Sequence, residues 1–155
     1  LQAEYDAIAL AMEALTQANT VLQTRFSPAL GAETARIFSA LTAGRYDKVL
    51  LDRSLSLSAQ PAGDAVPRAL ALLSQGAGDQ LYLAARLAIC RMVLPQDKAA
   101  PLILDDALAN FDDTRMAAAL DWLLEESRTR QILLFTCHRR EGDYLWDRAH
   151  VVSLN

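Results

Sequence analysis

Two short apolar runs constrain the fold of this chain more than any other feature. They are PLILD at 101–105 and QILLFT at 131–136, and each is typical of a buried β-strand. Between them a helical pattern starts at Asp113 or Thr114, either of which can cap a helix. The apolar inner face of that helix is Met116, Leu120, Leu123 and Leu124. Because apolar strands that alternate with helices favour a parallel sheet covered on both faces, we expect an α/β fold with a mostly parallel sheet flanked by helices.

The remaining stretches predict further elements around this sheet. Pro28 and Gly31 are expected to interrupt the helical pattern. A short helix is then expected from about residue 32 to residue 41, and Gly44 ends it. The other predicted elements are one or two strands at 45–58, a loop at 59–69, a helix at 81–94 that is apolar almost all round and therefore buried, and a last strand at 150–154.

The first 26 residues carry a sharp apolar period. Steps of four and three alternate without a break through Leu1, Tyr5, Ile8, Met12, Leu15, Asn19, Leu22 and Phe26. This heptad seam favours one strand of a coiled coil over an amphipathic helix on a globular core, because such a helix usually has a wider apolar stripe. In the coiled-coil interpretation Asn19 fixes the register. We expect residues 1–27 to form a coiled-coil arm and residues 28–155 to form one lobe.

Composition limits the classes of function. A length of 155 residues with 52% apolar residues fits one domain with a sizeable core. The net charge of −4 and the pI of about 5.1 argue against a broad basic surface, so any nucleic-acid contact must be local or supplied by another part of the molecule. Cys90 and Cys137 lack zinc-ligand spacing and favour a reduced, cytoplasmic protein, and no membrane span or signal peptide is visible. Because the chain begins at Leu1 inside a helical pattern, we interpret it as a piece of a longer protein.

Four aspartates crowd the segment PLILDDALANFDD at 101–113. Carboxylates this close repel one another unless a cation or a proton offsets their charge. A strand that ends in aspartate places that carboxylate at the carboxyl edge of the sheet, where α/β proteins bind ligands. Asp105 can hold Mg²⁺ there, and Asp106 beside it can polarise an attacking water. Helix capping in a solvated turn explains Asp112 and Asp113 well, but explains the first two aspartates poorly.

Two further segments carry groups that suit phosphate binding. Ser74, Gly76 and Gly78 lie just before a long helix, whose free N–H groups bind anions and where glycine lets a phosphate approach. His138 follows the strand at 131–136 and can donate a hydrogen bond to a phosphate oxygen. Taken alone, the first segment is more simply explained as an ordinary helix cap, and His138 is equally well explained by a structural hydrogen bond.

The order and spacing of these segments resemble those of the ATP-binding cassette (ABC) ATPases. Leu73-Ser74-Gln75-Gly76 resembles their signature motif, usually LSGG, and PLILDD resembles a Walker B strand. ANFD at 109–112 resembles the D-loop. The phrase LSQGAGDQLYLAARLA is most similar to the SMC, RecN and SbcC branch, and within it to the bacterial YhaN-like ATPases. A long coiled coil splits the head in that branch, so the resemblance implies that the heptad helix is the returning arm.

The resemblance implies roles for three residues within one head. Asp105 would hold Mg²⁺, Asp106 would orient or deprotonate the water, and His138, where the switch histidine of the H-loop belongs, would contact the γ-phosphate of ATP. Asp106 stands where the family usually has glutamate, which is one methylene longer. Because a misplacement of about 1 Å can cost ~100-fold in rate, we expect either a slow enzyme or a compensating loop.

The resemblance also implies contacts between two heads. Ser74, Gln75 and the backbone of Gly76 would contact ATP bound on a second head, and Asp112 would couple the two sites. Gln75 departs from the usual glycine, and its side chain can point away. The implied partners are a second head, an antiparallel coiled-coil strand, DNA and a nuclease subunit, in DNA repair or chromosome maintenance.

One motif of the family is missing. The sequence contains no G-x-x-x-x-G-K-[ST], the loop that cradles phosphates. The family carries this loop and the Q-loop glutamine in the N-terminal half of the head, so the resemblance implies that this chain is the C-terminal lobe and that the Walker A lobe is its partner. In the family's sheet, the strand that feeds the phosphate loop lies between the strands at 131–136 and 150–154. Open edges are therefore expected, and we expect the isolated chain to self-associate, to rearrange its last strand or to need the N-terminal half.

Three other functions compete with this interpretation. A metal-dependent phosphodiesterase or nuclease would use Asp105, Asp106 and Asp112, and would act without ATP. A phospho-acceptor receiver also places paired aspartates at a strand end, but it needs a lysine after a later strand, and none follows Lys98. A bare coiled-coil module leaves the pattern from 72 to 138 unexplained.

Without the phosphate loop and its lysine, this chain alone is expected neither to bind ATP tightly nor to hydrolyse it. Isothermal titration calorimetry with Mg-ATP checks the prediction. Binding in the micromolar range would contradict it.

Overall fold

The chain folds into five α-helices and two small sheets within the residues that the computed structural model describes, which are 2–52, 56–94 and 100–154. In chain order the elements are α1 (Gln2–Val21), a π-helical turn (Leu22–Phe26), α2 (Ser27–Leu41), β1 (Tyr46–Leu51), β2 (Leu57–Pro61), β3 (Arg68–Ala69), a 3-10 turn (Leu70–Leu72), α3 (Gln75–Val93), β4 (Leu102–Asp105), α4 (Asp113–Glu126), β5 (Ile132–Phe135) and α5 (Arg139–Leu145).

Helix α1 projects from the rest of the chain and buries none of its residues. The seam residues Tyr5, Ile8, Met12 and Leu15 are 62 to 70% exposed, so no other described residue covers their apolar face. The predicted helix is confirmed, although Leu1 lies outside the described residues, and its pairing in a coiled coil stays a prediction. No helix in the described part of the chain is long and apolar enough to cross a membrane.

A π-helical turn joins α1 to α2, so one helical path runs from residue 2 to residue 41. Ser27 donates its backbone N–H to the carbonyl of Leu22, five residues earlier. Pro28 follows in the first turn of α2, where its missing N–H and its ring are tolerated beside the wider π turn. Pro28 and Gly31 therefore do not interrupt the helix, and the predicted helix start near residue 32 is wrong.

The strands β1, β2 and β3 form an antiparallel sheet in that order. The register of β1 and β2 runs from Leu51 opposite Leu57 to Tyr46 opposite Pro61. The predicted strands at 45–58 therefore form, with residues 53–55 outside the described part. The predicted loop at 59–69 is partly wrong, because β2 and β3 pair through backbone hydrogen bonds that do not depend on its turn-rich composition.

Helix α3 begins at Gln75, six residues before the predicted start at residue 81. One face is buried, and its apolar residues are Ala77, Leu81, Leu83, Ala84, Leu87 and Ala88. Tyr82, Ile89 and Val93 are 42 to 61% exposed on the helix. The predicted burial on all sides is therefore wrong, because α2 packs along only one side of α3.

The predicted strands at 101–105 and 131–136 form the parallel pair β4 and β5. Their register runs from Leu102 opposite Ile132 to Asp105 opposite Phe135, so both strands end at the same edge. Full burial of the strands was predicted wrongly, since Ile103 is 64% exposed and Phe135 is 46% exposed. One face of this pair has no cover among the described residues.

The last strand predicted at 150–154 is not formed, and these residues have no regular secondary structure. Val152 and Leu154 are 63% and 82% exposed. A strand needs a neighbouring backbone for its hydrogen bonds, and β4 and β5 pair only with each other within the described residues. The expectation that the isolated chain self-associates, rearranges its last strand or needs the N-terminal half stays a prediction.

The core lies where α2, α3 and α4 meet. Ile37 and Phe38 of α2, Leu81 of α3 and Leu120 of α4 are at most 1% exposed. Burying such a side chain contributes about 1.5 to 3 kcal/mol. The side-chain amide of Gln80 donates to the carbonyl of Leu41 at 2.7 Å, which satisfies a backbone acceptor at the end of α2.

An ion-pair network ties the same three helices together. Glu33 of α2 accepts two hydrogen bonds from Arg36, at 2.8 and 3.0 Å. It also lies 3.0 Å from the guanidinium of Arg91 on α3, which in turn pairs with Glu126 at the end of α4. The hydrogen bond from Arg36, with the charges of Arg36 and Arg91, holds the pKa of Glu33 below its ordinary value of 4.5, although burial opposes this shift.

Replacing this carboxylate tests the network, since Glu33→Gln keeps the shape but removes the charge. We expect the variant to lose about 1 to 2 kcal/mol of unfolding free energy at neutral pH. Because the folded-state pKa is lowered, the stabilisation is fully present above the ordinary pKa and disappears as the pH falls through the lowered value. Urea unfolding at about pH 7, 5 and 3.5 should show the difference between wild type and variant shrinking only at the lowest pH.

Glu125→Gln is the matched control. Glu125 pairs with Arg128 at 3.2 Å, but their side chains are 68% and 74% exposed, so this change should cost less than about 0.5 kcal/mol. Equal losses for the two variants would contradict the role of the network.

Candidate functional site

The aspartates that end β4 lie where the parallel strands finish. Asp105 is the last residue of β4 and is exposed, and its carboxylate makes no hydrogen bond or ion pair with any described residue. Asp106 has φ 45°, a left-handed conformation that aspartate adopts more easily than most residues. Its backbone N–H donates to the Phe135 carbonyl at 2.9 Å, and its carboxylate accepts from the Cys137 N–H at 3.0 Å. The backbone therefore fixes one carboxylate, while the other remains open to a ligand.

The turn after β5 brings His138 to the same edge. The backbone N–H of His138 donates to the Thr136 hydroxyl at 3.0 Å, and the residue precedes α5 as its N-cap. Donor atoms of Asp106, Cys137 and His138 all lie within 4.8 Å of one another. The structure thus brings together the two residues predicted to act in catalysis, and it adds a thiol that the sequence analysis did not select.

Negative charge accumulates around this turn. Desolvation, and then the neighbouring Asp106 carboxylate, raise the pKa of the Cys137 thiol above its ordinary value of 9.0. Glu141, in the first turn of α5, also raises the pKa of this thiol. Glu141 is 1% exposed, and neither of its carboxylate oxygens has a hydrogen-bond partner. A cation at this edge would reduce the repulsion between these groups.

The segment 106–112 is anchored by its apolar residues and by a helix cap. Leu108 and Phe111 are 0% and 3% exposed. Asp112 caps α4, since its carboxylate accepts from the Arg115 N–H at 2.9 Å and lies 3.2 Å from the Arg115 guanidinium. The cap predicted at Asp113 or Thr114 is therefore wrong by one or two residues, whereas the alternative that Asp112 caps the helix is confirmed.

Asp113 instead pairs with Arg140 of α5, at 3.1 Å. The guanidinium of Arg140 also donates to the carbonyls of Leu108 and Ala109, at 3.3 and 3.4 Å. This arginine therefore holds the loop after β4 to the helix after β5. The sequence analysis missed it, because a surface arginine in the run HRRE carries no pattern that names its partner.

Ser74, Gln75 and Gly76 lie at the start of α3, whereas the sequence placed them before the helix; their role in anion binding stays a prediction. Ser74 is the N-cap residue, its carbonyl accepts from the Gly78 N–H at 2.9 Å, and its side chain makes no capping bond. Ser74 and Gln75 are exposed. The hydroxyl and the first helical N–H groups are therefore available to a ligand.

Gly76 marks the closest approach between this helix start and the segment 109–112. A Cβ at Gly76 would lie 2.7 Å from a guanidinium nitrogen of Arg115 and 3.3 Å from the Asn110 carbonyl. The Asn110 side chain donates to the Asp79 carboxylate at 3.0 Å. The residues of this chain that were predicted to contact a second head therefore lie together, at the start of α3 and on the segment 109–112 packed against it. The residues predicted to act in catalysis lie at the strand edge.

Solved structures with a similar fold are SMC head domains. An SMC ATPase studied for ATP-driven dimerization and DNA-stimulated activation is 21% identical with a TM-score of 0.70, over 88% of this chain and 83% of that chain. The Smc head domain of Pyrococcus furiosus, which carries an extended coiled coil and is bound to the C-terminal domain of ScpA, is 20% identical with a TM-score of 0.64, over 92% of this chain and 36% of that chain. The SMC head domain of Thermotoga maritima is 19% identical with a TM-score of 0.60, over 83% of this chain and 44% of that chain. The chain therefore has the fold of an SMC ATPase head, which confirms the predicted fold class.

One curated protein is similar to this chain in sequence. The uncharacterized protein YhaN of Bacillus subtilis strain 168 is 32% identical over 117 residues, which are 75% of this chain and 12% of that protein. The chain thus spans about an eighth of the curated relative that it matches. No protein-family model matches the sequence. The predicted similarity to the SMC-type and YhaN-like heads is confirmed.

The close approach at Gly76 can be tested by adding a methyl group. Gly76→Ala forces Arg115 to move and presses on the Asn110 backbone, whereas Gly78→Ala meets only Leu70 at 3.6 Å, an ordinary contact. Alanine is worth up to about 1 kcal/mol over glycine in a helix, so the second variant is expected to match or exceed wild-type stability. The first variant should be about 1 kcal/mol less stable than the second, because the Arg115 side chain can move aside but the Asn110 carbonyl belongs to the backbone. Urea midpoints decide, and equal midpoints would contradict the contact.

Proposed function

We propose that this chain is the C-terminal lobe of an ATPase head that hydrolyses ATP between two dimerised heads. The observation that carries the proposal is the strand edge, where Asp105 ends β4 with an exposed carboxylate and the next residue, Asp106, lies close to His138. The fold of SMC ATPase heads and the similarity to YhaN support the same conclusion. Residues 1–27 are then the arm, and residues 28–155 are the lobe.

The donor set at the strand edge fits Mg-ATP in part. Asp105 offers an exposed carboxylate oxygen with no protein partner, the kind of ligand that Mg²⁺ prefers. Mg-ATP, when bound, supplies the cation and the phosphoryl group. The protein contributes by positioning the reacting groups and by stabilising the charge of the transition state. The phosphate loop is expected from the N-terminal lobe, because this sequence lacks its motif.

The proposed chemistry assigns one task to each residue. Asp106 orients the attacking water and accepts its proton, with its carboxylate held by the Cys137 N–H. His138 donates a hydrogen bond to the γ-phosphate. Asp112 is already engaged as the cap of α4, so its contact with a second head is made through the rigid segment 109–112.

The second head is expected to meet the start of α3. Ser74 and Gln75 are exposed there, and the backbone N–H groups near Gly76 suit the negative charge of a γ-phosphate. An antiparallel coiled-coil strand would cover the exposed seam of α1. DNA and a nuclease subunit are proposed partners in the cytoplasm, for DNA repair or chromosome maintenance. Because this chain has a net charge of −4, the DNA contact is expected elsewhere in the longer protein.

The competing phosphodiesterase has less support. It requires Asp105, Asp106 and Asp112 around one cation, but the described residues with metal-ligand spacing combine Asp106 with Cys137 and His138 instead. We therefore keep hydrolysis of ATP as the proposed activity.

A complementation experiment in the longer protein, with its N-terminal half, tests the division between heads. Asp105→Asn and Ser74→Arg should each reduce ATP hydrolysis at least about 100-fold when all subunits carry the change. If each site takes Asp105 from one head and Ser74 from the other, a mixed dimer has one intact site. An equal mixture should therefore recover roughly one quarter of the wild-type rate, since half of the random dimers are mixed.

Asp143→Asn is the matched control, because Asp143 is an exposed aspartate of α5 with no described partner. It should hydrolyse ATP within about twofold of wild type. Failure of the mixture to recover activity would place both groups in one head, and full activity of Asp105→Asn would refute the role of Asp105. The absence of ATP hydrolysis in the wild-type longer protein would refute the ATPase assignment.

A further inference from the structure

Three different metal-ligating side chains converge at the end of the parallel strands. A carboxylate oxygen of Asp106, the Sγ of Cys137 and a ring nitrogen of His138 lie within 4.8 Å of one another. They form the one such group of three among residues 2–52, 56–94 and 100–154. The sequence does not show it, because Asp106 lies 31 positions before Cys137 and only the pairing of β4 with β5 joins them.

The local backbone already places the donors. The Cys137 N–H holds one Asp106 oxygen at 3.0 Å, and the Thr136 hydroxyl holds the His138 N–H at 3.0 Å. Zinc bonds of about 2.3 Å to sulfur and about 2.0 to 2.2 Å to nitrogen and oxygen place tetrahedral ligands roughly 3.3 to 3.7 Å apart. Closure by roughly 1 Å is within the range of side-chain rotation, with no change of the paired strands.

The donor chemistry selects the class of cation. Thiolate and imidazole ligands favour zinc and similar transition metals, whereas Mg²⁺ prefers oxygen ligands alone. Three protein ligands from Asp, Cys and His leave a fourth position for water. Asp106 and Cys137 are exposed, so a cation can enter from solvent.

The charge around the group favours a cation as well. Neither Asp106 nor Glu141 forms an ion pair with a lysine or arginine of the described part of the chain. Two arginines follow His138 in the sequence. Arg140 is engaged by Asp113 and by two backbone carbonyls, and Arg139 is exposed and forms no ion pair with either Asp106 or Glu141 in the described part of the chain. The buried Glu141 carboxylate adds negative potential without a partner of its own.

We propose that Asp106, Cys137 and His138 bind one thiophilic divalent cation of the zinc class. The cation replaces the proton of the Cys137 thiol, which passes to the buffer, and it draws in the Asp106 carboxylate and the His138 ring. We expect the bound cation to stop ATP hydrolysis, because it occupies Asp106 and His138, the groups assigned to the water and the γ-phosphate. This consequence rests on the proposed function.

Binding is measured first, without nucleotide, on the purified longer protein after removal of metals. Cobalt(II) is the probe, since a cobalt–thiolate bond gives a near-ultraviolet absorption band, and zinc is then added to displace it. The chain offers a matched control for each ligand: Cys90 for Cys137, His150 for His138 and Asp143 for Asp106.

Wild type, Cys90→Ser, His150→Ala and Asp143→Asn should each show the band with one cobalt per chain. Cys137→Ser should lose the band, and His138→Ala and Asp106→Asn should weaken zinc affinity at least about tenfold. Circular dichroism confirms that each variant is folded, and Cys137→Ala provides a second test of the thiol. Retention of the band in both Cys137 variants, or its loss in Cys90→Ser, would overturn the site.

The effect on hydrolysis is measured separately, as the ratio of ATPase rates with and without one equivalent of zinc in excess Mg-ATP. The ratio should fall at least about tenfold in wild type and Cys90→Ser, and should stay near one in Cys137→Ser. Wild-type inhibition that persists in Cys137→Ser, or no inhibition in wild type with the band present, would overturn the inhibitory role. A protein that shows the band but no ATPase activity in metal-free buffer with Mg²⁺ would refute the proposed function and leave the metal site standing.

Discussion

The backbone pairing of β4 with β5 is the interaction on which the candidate site depends. In a parallel pair both strands finish at one edge, and the register that sets Asp105 opposite Phe135 also sets Asp106 beside Cys137 and His138. A shift of one residue would reverse the faces of one strand relative to the other and separate these groups. The Asp106 N–H and carboxylate continue the ladder beyond the last paired residues, which makes the loop an extension of the sheet.

A second constraint joins the strand edge to the start of α3. Gly76 leaves room for the guanidinium of Arg115 and the backbone of Asn110, and Arg115 in turn holds the carboxylate of Asp112. Arg140 fastens the same loop from the other side through its carbonyls. The segment after β4 therefore has little freedom to move independently of α3, α4 and α5, so a ligand at one face meets a preformed surface.

The sequence predicted the elements with strong local patterns and failed where the outcome depends on neighbours. The strands at 101–105 and 131–136 and the N-terminal helix were predicted correctly because periodicity is a local signal. The helix across Pro28 was missed because a π turn can accommodate a proline. The last strand was predicted wrongly because the sequence of a strand does not show whether a neighbouring strand is present to pair with it. For the same reason, the thiol of Cys137 became visible as part of a site only once the strands were paired.

The π turn at Leu22–Phe26 is the position at which the N-terminal helix bends most easily. It is a local change of winding in an otherwise continuous rod, and helices bend preferentially at such irregularities. The rod beyond it is about 30 Å long at 1.5 Å per residue, so a bend of about 10° at the turn would move the far end by roughly 5 Å. On the other side, α2 is coupled to α3 through Gln80 and through Glu33 with Arg91. A bend at this turn would therefore change the direction of α1 relative to α2 and to α3, the helix that begins at Gln75.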